Sequence, residues 1–251
     1  IAIPVSLAEP DVTRTARLTL APGETAPIDP ALMAGLGTGA RLTATAGPFA
    51  ALDVASALGR LTRYPYGCTE QLASVAMPLL YVPELSAQVG GRGDRDTARA
   101  VQDAITAILT RQTAEGAFGL WRPGAGDFWL DAYATDFLSR ARAAGFAVPD
   151  QPFQAAIGNL VNQVNYATDP AYADPGENAA LAYASVVLAR ERAARIGDLR
   201  YDADAAAESF ATPMAAAQIG EALATLGDQP RADRMFAQAR DLLAQGTDDQ
   251  R

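Results

Sequence analysis

From about Pro48 onward, apolar residues recur every three or four positions, in segments separated by Gly and Pro. That period restricts this part of the chain to amphipathic helices packed by one face. Phe49 to Tyr64 places Leu52, Ala55, Leu58 and Leu61 on one stripe, and Gln71 to Tyr81 repeats the pattern with Leu72, Val75, Ala76, Leu79 and Leu80. Pro78 is expected to kink or shorten the second helix, because its ring removes a backbone donor. Asp94 is the expected N-cap of a helix to about Gln112, with Val101, Ile105, Ile108 and Leu109 turned inward. Further helices fit Trp129 to Ala144, Phe153 to Tyr166, Asn178 to Ile196, Ala203 to Ser209, Met214 to Leu226 and Pro230 to Gln245. Gly145, Gly197 and Gly227 stand where C-terminal caps belong. Short connections imply antiparallel hairpins, and abundant Ala lets the helices approach closely. Periodicity allows a bundle, a solenoid or a closed ring of hairpins and does not choose among them.

Residues before this point read differently. Thr13 to Leu20 and Arg41 to Ala46 alternate polar and apolar side chains, and Ile28 to Gly39 is a loop punctuated by Pro and Gly. The expectation is a β-rich segment over 1–47, belonging to a neighbouring domain, followed by a mainly α domain over 48–251. The chain begins at Ile1 and stops in an acidic, polar run, so it reads as an excerpt of a longer polypeptide. No apolar run is long enough to span a bilayer, so this fragment is expected to make no membrane contact.

Charge and residue usage remove several kinds of chemistry. A net charge of −9 argues against nucleic acid as a partner. Histidine is absent and Cys68 is the one cysteine, which excludes Cys-His and Ser-His-Asp sites and Cys/His zinc sites within the chain. No metal and no cofactor is expected. All 20 basic residues are arginine. Codon bias accounts for that, and so would a protein that stores an amine-reactive bond and gains from carrying no amines.

The most informative stretch is Tyr64-Pro65-Tyr66-Gly67-Cys68-Thr69-Glu70-Gln71. Side chains three apart at a helix start share a face, so Cys68 and Gln71 can meet. Gly67 is expected to admit the chain with backbone angles that other residues tolerate poorly. At a helix N-terminus the macrodipole favours the Cys68 thiolate. Such a thiolate can displace ammonia from the Gln71 carboxamide and leave a Cys68–Gln71 thioester. A lone cysteine on a helical face is more often an inert buried thiol, and geometry alone leaves both readings open. Glu70 is assigned no chemical step and reads as part of the helix start.

The motif resembles the thioester motif of the bacterial alpha-2-macroglobulin family, whose Gly-Cys-x-Glu-Gln core is shared with eukaryotic macroglobulins and complement components. A second block agrees: Gly116-Ala117-Phe118-Gly119-Leu120-Trp121, then Trp129 to Leu138, is similar to segments downstream of the motif in bacterial members. The resemblance covers roughly Ala50 to the end. It implies an α/α toroid of helical hairpins, incomplete here at the C-terminus, preceded by part of a CUB-like or macroglobulin-type sandwich. It further implies a broad-spectrum protease trap rather than an enzyme. Cleavage of a bait segment elsewhere exposes the thioester, and a lysine of the attacking protease captures the Gln71 acyl carbon. By the same resemblance Tyr64, Tyr66 and Trp121 are candidates for shielding the bond from water. Some complement relatives pass the acyl group to a histidine; with none in this chain, reaction with amines and not with sugar hydroxyls is expected. The family also implies a periplasmic setting, lipoprotein anchoring of the full-length protein to the inner membrane, and work beside a penicillin-binding protein.

Two rival readings use other features. A toroid enzyme, such as a glycosidase or cyclase, would draw on Asp127, Asp131 and Asp136; a helix N-terminus enriched in acids is the plainer account of them. The other rival is an inert helical binding domain without a thioester.

Overall fold

The structure is a computed structural model that describes residues 12, 14–37, 39–42, 44, 67–81, 95–124 and 126–248. The expected helix over 49–64, the Asp94 cap, and Tyr64 and Tyr66 lie outside the described residues. The chain divides into two units, Ile1–Gly59 and Arg60–Arg251.

In the first unit the described residues form no strand. The alternation in 14–20 and 41–42 was expected to be β, yet Leu18, Leu20 and Leu42 are all exposed. An alternating segment becomes a strand when a neighbouring strand takes up its N–H and C=O groups, and no such ladder forms among the described residues. The regular element here is a 3₁₀ turn at Pro30–Leu32, capped by Asp29, whose carboxylate accepts from the Ala31 N–H at 2.9 Å. The Arg14 guanidinium donates to the carbonyls of Ala31 at 3.1 Å and Ala34 at 2.6 Å, which pins the turn.

The second unit holds eight α-helices among the described residues: α1 (Thr69–Leu79), α2 (Arg95–Leu109), α3 (Phe128–Ala143), α4 (Asp150–Tyr166), α5 (Pro175–Arg190), α6 (Ile196–Ala205), α7 (Pro213–Thr225) and α8 (Gln229–Asp248). Odd-numbered helices pack in succession, α1 on α3, α3 on α5 and α5 on α7. Even-numbered helices lie against them as returns, α2 on α1, α4 on α3 and α5, and α8 on α7. That is the hairpin order of an α/α toroid. Burial follows the same alternation. In α3 and α5 nearly every central residue is buried, whereas α4 buries one stripe, Phe153, Ala156, Ile157 and Leu160. A helix that is apolar or small all round belongs inside, and one with a single apolar stripe belongs on the rim. Leu181, Phe210, Ile219, Leu223 and Met235 join α5, α7 and α8 in one core.

Helix ends follow chemistry readable in the sequence, with instructive exceptions. α1 stops at Leu79, one residue past Pro78. Asp127, Asp174 and Thr212 cap α3, α5 and α7 through side-chain oxygens that accept backbone N–H bonds. Gly145 and Gly227 close α3 and α7 at φ near +89°, with the following N–H bonded to Ala141 and Leu223 respectively. The expected helix from Asn178 to Ile196 instead ends at Arg190, and Arg192 takes the left-handed position at φ 59°. The Ala193 N–H then reaches the Leu188 carbonyl at 2.8 Å, which completes the same cap without glycine. Gly197 is therefore no cap and lies in the first turn of α6. The expected helix at Ala203 to Ser209 is the end of α6 followed by a 3₁₀ turn at Ala207–Ser209, because Leu199 and Ala203 share one buried stripe.

Candidate functional site

Cys68 is the N-cap of α1, with extended backbone at φ −65° and ψ 172°. It is 8% exposed, and Thr69 behind it is fully buried. Gln71 occupies the third helical position, and its carboxamide folds back over the cap. Its Oε1 accepts the Cys68 backbone N–H at 3.0 Å. This is the glutamine half of a capping box, a device that normally satisfies an orphan amide. Here it also brings the Gln71 carboxamide to the residue that carries the sulfur.

The glycine before the cysteine works differently from the expectation. Gly67 is not among the residues with left-handed backbone. A Cβ at this position would stand 3.1 Å from Leu72 Cγ, so the glycine eases close approach of the first turn of α1, and a side chain there would push on Leu72.

Two residues that sequence reasoning passed over hold this turn in place. The Thr69 N–H donates to the Leu120 carbonyl at 2.9 Å, and its hydroxyl donates to the Gly119 carbonyl at 2.6 Å. Arg111 donates to the Gly67 carbonyl at 2.8 Å and to the Leu120 carbonyl at 3.1 Å. The two sequence blocks are thus one structural unit, the second docked on the helix start of the first. Thr69 gave one signal, its place inside the motif. Arg111 gave none beyond its nearness to the second block.

The second block is held by close local contacts. Gly116 has φ +98°, and a Cβ there would stand 2.0 Å from the Ala155 carbonyl oxygen of α4. Phe118 is fully buried, and its N–H donates to Asp131 Oδ1 at 2.6 Å. Asp131 also accepts from Asn159 at 2.9 Å and Gln163 at 2.6 Å. Burial pushes this carboxyl above the usual range, against the pull of those three hydrogen bonds. The other two aspartates are likewise engaged. Asp127 caps α3 by accepting from the Leu130 N–H at 3.1 Å. Asp136 pairs with Arg140 at 2.9 Å, with Arg190, and with the Tyr183 hydroxyl at 2.8 Å. All three have structural employment.

Trp121 is 65% exposed, its ring 6.0 Å from the Arg111 guanidinium. Glu70 links the cysteine to Ser74, which in turn reaches Tyr133 of α3. The Cys68 thiol faces Glu70 Oε2 at 3.9 Å, and Glu70 Oε1 accepts the Ser74 hydroxyl at 2.8 Å. Ser74 meets the Tyr133 hydroxyl at 3.0 Å. Tyr133 stacks on Trp129 with centroids 4.9 Å apart.

Comparison with known proteins agrees with this geometry. The family model of the A-macroglobulin TED domain matches residues 43–178. The alpha-2-macroglobulin of Escherichia coli (strain K12) is 36% identical over 200 residues, which is 75% of this chain and 12% of that protein. Native Escherichia coli alpha-2-macroglobulin, solved from domain MG7 to the C-terminus, superposes with a TM-score of 0.66 at 33% identity, covering 75% of this chain and 31% of that one. Salmonella alpha-2-macroglobulin reacted with methylamine gives a TM-score of 0.65 at 34% identity, covering 75% of this chain and 13% of that one. The chain therefore spans about an eighth of the Escherichia coli relative's length. A motif, a docked second block and a toroid of hairpins in one chain have one explanation: it belongs to the alpha-2-macroglobulin family and carries the thioester domain of a bacterial member.

Proposed function

We propose that this domain stores an internal thioester between Cys68 Sγ and the Gln71 side-chain carbonyl carbon, and that the full-length protein uses it to capture proteases covalently. The observation that carries this reading is the folded-back Gln71 carboxamide, bonded through Oε1 to the Cys68 N–H at 3.0 Å. When sulfur adds to the Gln71 carbon, negative charge gathers on Oε1. The Cys68 amide is already aimed at that oxygen, as an oxyanion donor must be. Loss of ammonia leaves the thioester. Attack by a lysine amine on the same carbon forms an amide and releases the Cys68 thiol. Each molecule reacts once.

Burial of Cys68 supports storage, since a thioester survives only where water is kept away. Trp121 is exposed in this chain, so its shielding role would require a neighbouring domain of the full-length protein to close over it. The chain contains no histidine, which supports direct transfer to amines without an acyl-imidazole step. The Salmonella relative reacted with methylamine, which supports amines as acceptors. We further place the full-length protein in the periplasm as an inner-membrane lipoprotein, beside a penicillin-binding protein; fractionation of cells would check the location.

The decisive experiment is the intact mass of freshly purified full-length protein, before and after methylamine. The expected result is a mass one ammonia below the encoded chain, a Cys68 that resists alkylation, and a thiol released when methylamine adds. Glycerol in excess should not compete. A chain of full encoded mass with a freely alkylated Cys68 would remove the thioester and leave the architecture.

A further inference from the structure

Glu70 is the one acidic side chain of the α1 first turn, and it does not cap the helix. Its two carboxylate oxygens face two different donors. Oε2 faces the Cys68 thiol at 3.9 Å, and Oε1 accepts from Ser74 at 2.8 Å. Because Ser74 gives its proton to Glu70, the Tyr133 hydroxyl is the donor across the 3.0 Å contact to Ser74. The chain Tyr133–Ser74–Glu70 therefore runs in one direction and ends with a carboxylate turned toward the sulfur. Tyr133 is itself fixed, stacked on Trp129 and tilted against Tyr183 at 6.3 Å between centroids. A helix-start acid whose sole task was the macrodipole would need neither the serine nor the tyrosine.

We infer that Glu70 is the proton carrier of the thioester reactions, with Ser74 and Tyr133 as the residues that position it. The inference rests on the thioester reading above. In bond formation Glu70 takes the proton from the Cys68 thiol, sulfur adds to the Gln71 carbon, and the carbon–nitrogen bond breaks. The same proton then passes from Glu70 to the departing nitrogen, which leaves as ammonia. In capture the traffic is the same with other partners. An attacking neutral amine bonds to the Gln71 carbon, Glu70 takes a proton from that nitrogen, the carbon–sulfur bond breaks, and Glu70 returns the proton to Cys68. The carboxylate is regenerated in both directions and no further reactant is needed. A group that both accepts and returns a proton at the reacting atoms contributes typically two or more orders of magnitude in rate.

The test uses the full-length protein with Glu70→Gln, Glu70→Ala, Glu70→Asp and Ser74→Ala. Two quantities are read: the fraction carrying the closed bond, by intact mass, and the rate of thiol release by methylamine. Glu70→Gln and Glu70→Ala are expected to lose about a hundredfold or more in one or both reactions. Glu70→Asp should recover part of the loss, and Ser74→Ala should lose roughly tenfold. Added formate should restore Glu70→Ala in a saturable manner, which a merely structural role would not allow. Wild-type behaviour in Glu70→Gln would overturn the inference. So would a set in which Glu70→Asp fails as badly as Glu70→Ala and formate restores neither reaction. If wild-type protein itself shows no mass deficit, the thioester reading has failed, whatever the variants do.

Discussion

At the scale of single residues, the site depends on positions that the motif letters do not explain. Thr69 separates the cysteine from the glutamate, yet its buried hydroxyl and N–H tie α1 to the carbonyls of Gly119 and Leu120. Replacing it by Val keeps the shape and removes the hydroxyl, leaving the Gly119 carbonyl without that donor. Thr69→Val is expected to cost about 1–3 kcal/mol in chemical denaturation. It should also speed spontaneous loss of the proposed thioester, because the wall behind Cys68 loosens. That the Gln71 side chain reaches the Cys68 backbone N–H was legible in the sequence, since a spacing of three at a helix start is a local geometric fact. Glu70's facing of the thiol was not, because it depends on Ser74 and on Tyr133 from another helix.

At the scale of elements, most helices were readable, while α6 and several ends were not. The apolar period marked most of the helices but not α6 at Ile196–Ala205, and Gly145 and Gly227 marked two stops. The end of α5 was misplaced because Arg192 fills a position where glycine is the usual signal. A non-glycine residue in left-handed backbone costs roughly 1–2 kcal/mol, partly offset by the greater unfolded-state freedom of glycine. Arg192→Gly is therefore expected to stabilise the domain by about 0.5–1 kcal/mol, seen as a higher denaturation midpoint with unchanged slope. In the first unit the alternation of 14–20 and 41–42 forms no strand among the described residues. Alternation specifies two faces, but a strand needs a partner edge, and Leu18 and Leu20 stand in solvent.

At the scale of the whole molecule, stability and charge are coupled through a carboxyl far along the chain from the candidate site. Asp202 on α6 is 6% exposed and is pushed up to about 7, first by burial and then by the charges of Asp198 and Asp169. Between pH 4 and 7 the folded state keeps a proton that the unfolded chain has released. Folding is then linked to proton uptake, so this residue's contribution falls as pH rises through that window and levels off above it. Asp202→Asn removes the penalty. The variant is expected to match wild type near pH 4 and to exceed it near pH 8, by at most on the order of 4 kcal/mol, in denaturant titrations across pH. Equal pH profiles for the two proteins would show that Asp202 titrates normally in the fold.

Taken alone, the order of residues carried the helical class in its apolar period, and the resemblance of its two motif blocks to known members carried the family. Tertiary structure decided which distant groups stand around Cys68 and Gln71. Contacts across some fifty residues, such as Thr69 with Gly119, arise from how the helices pack, and local periodicity carries no record of that packing.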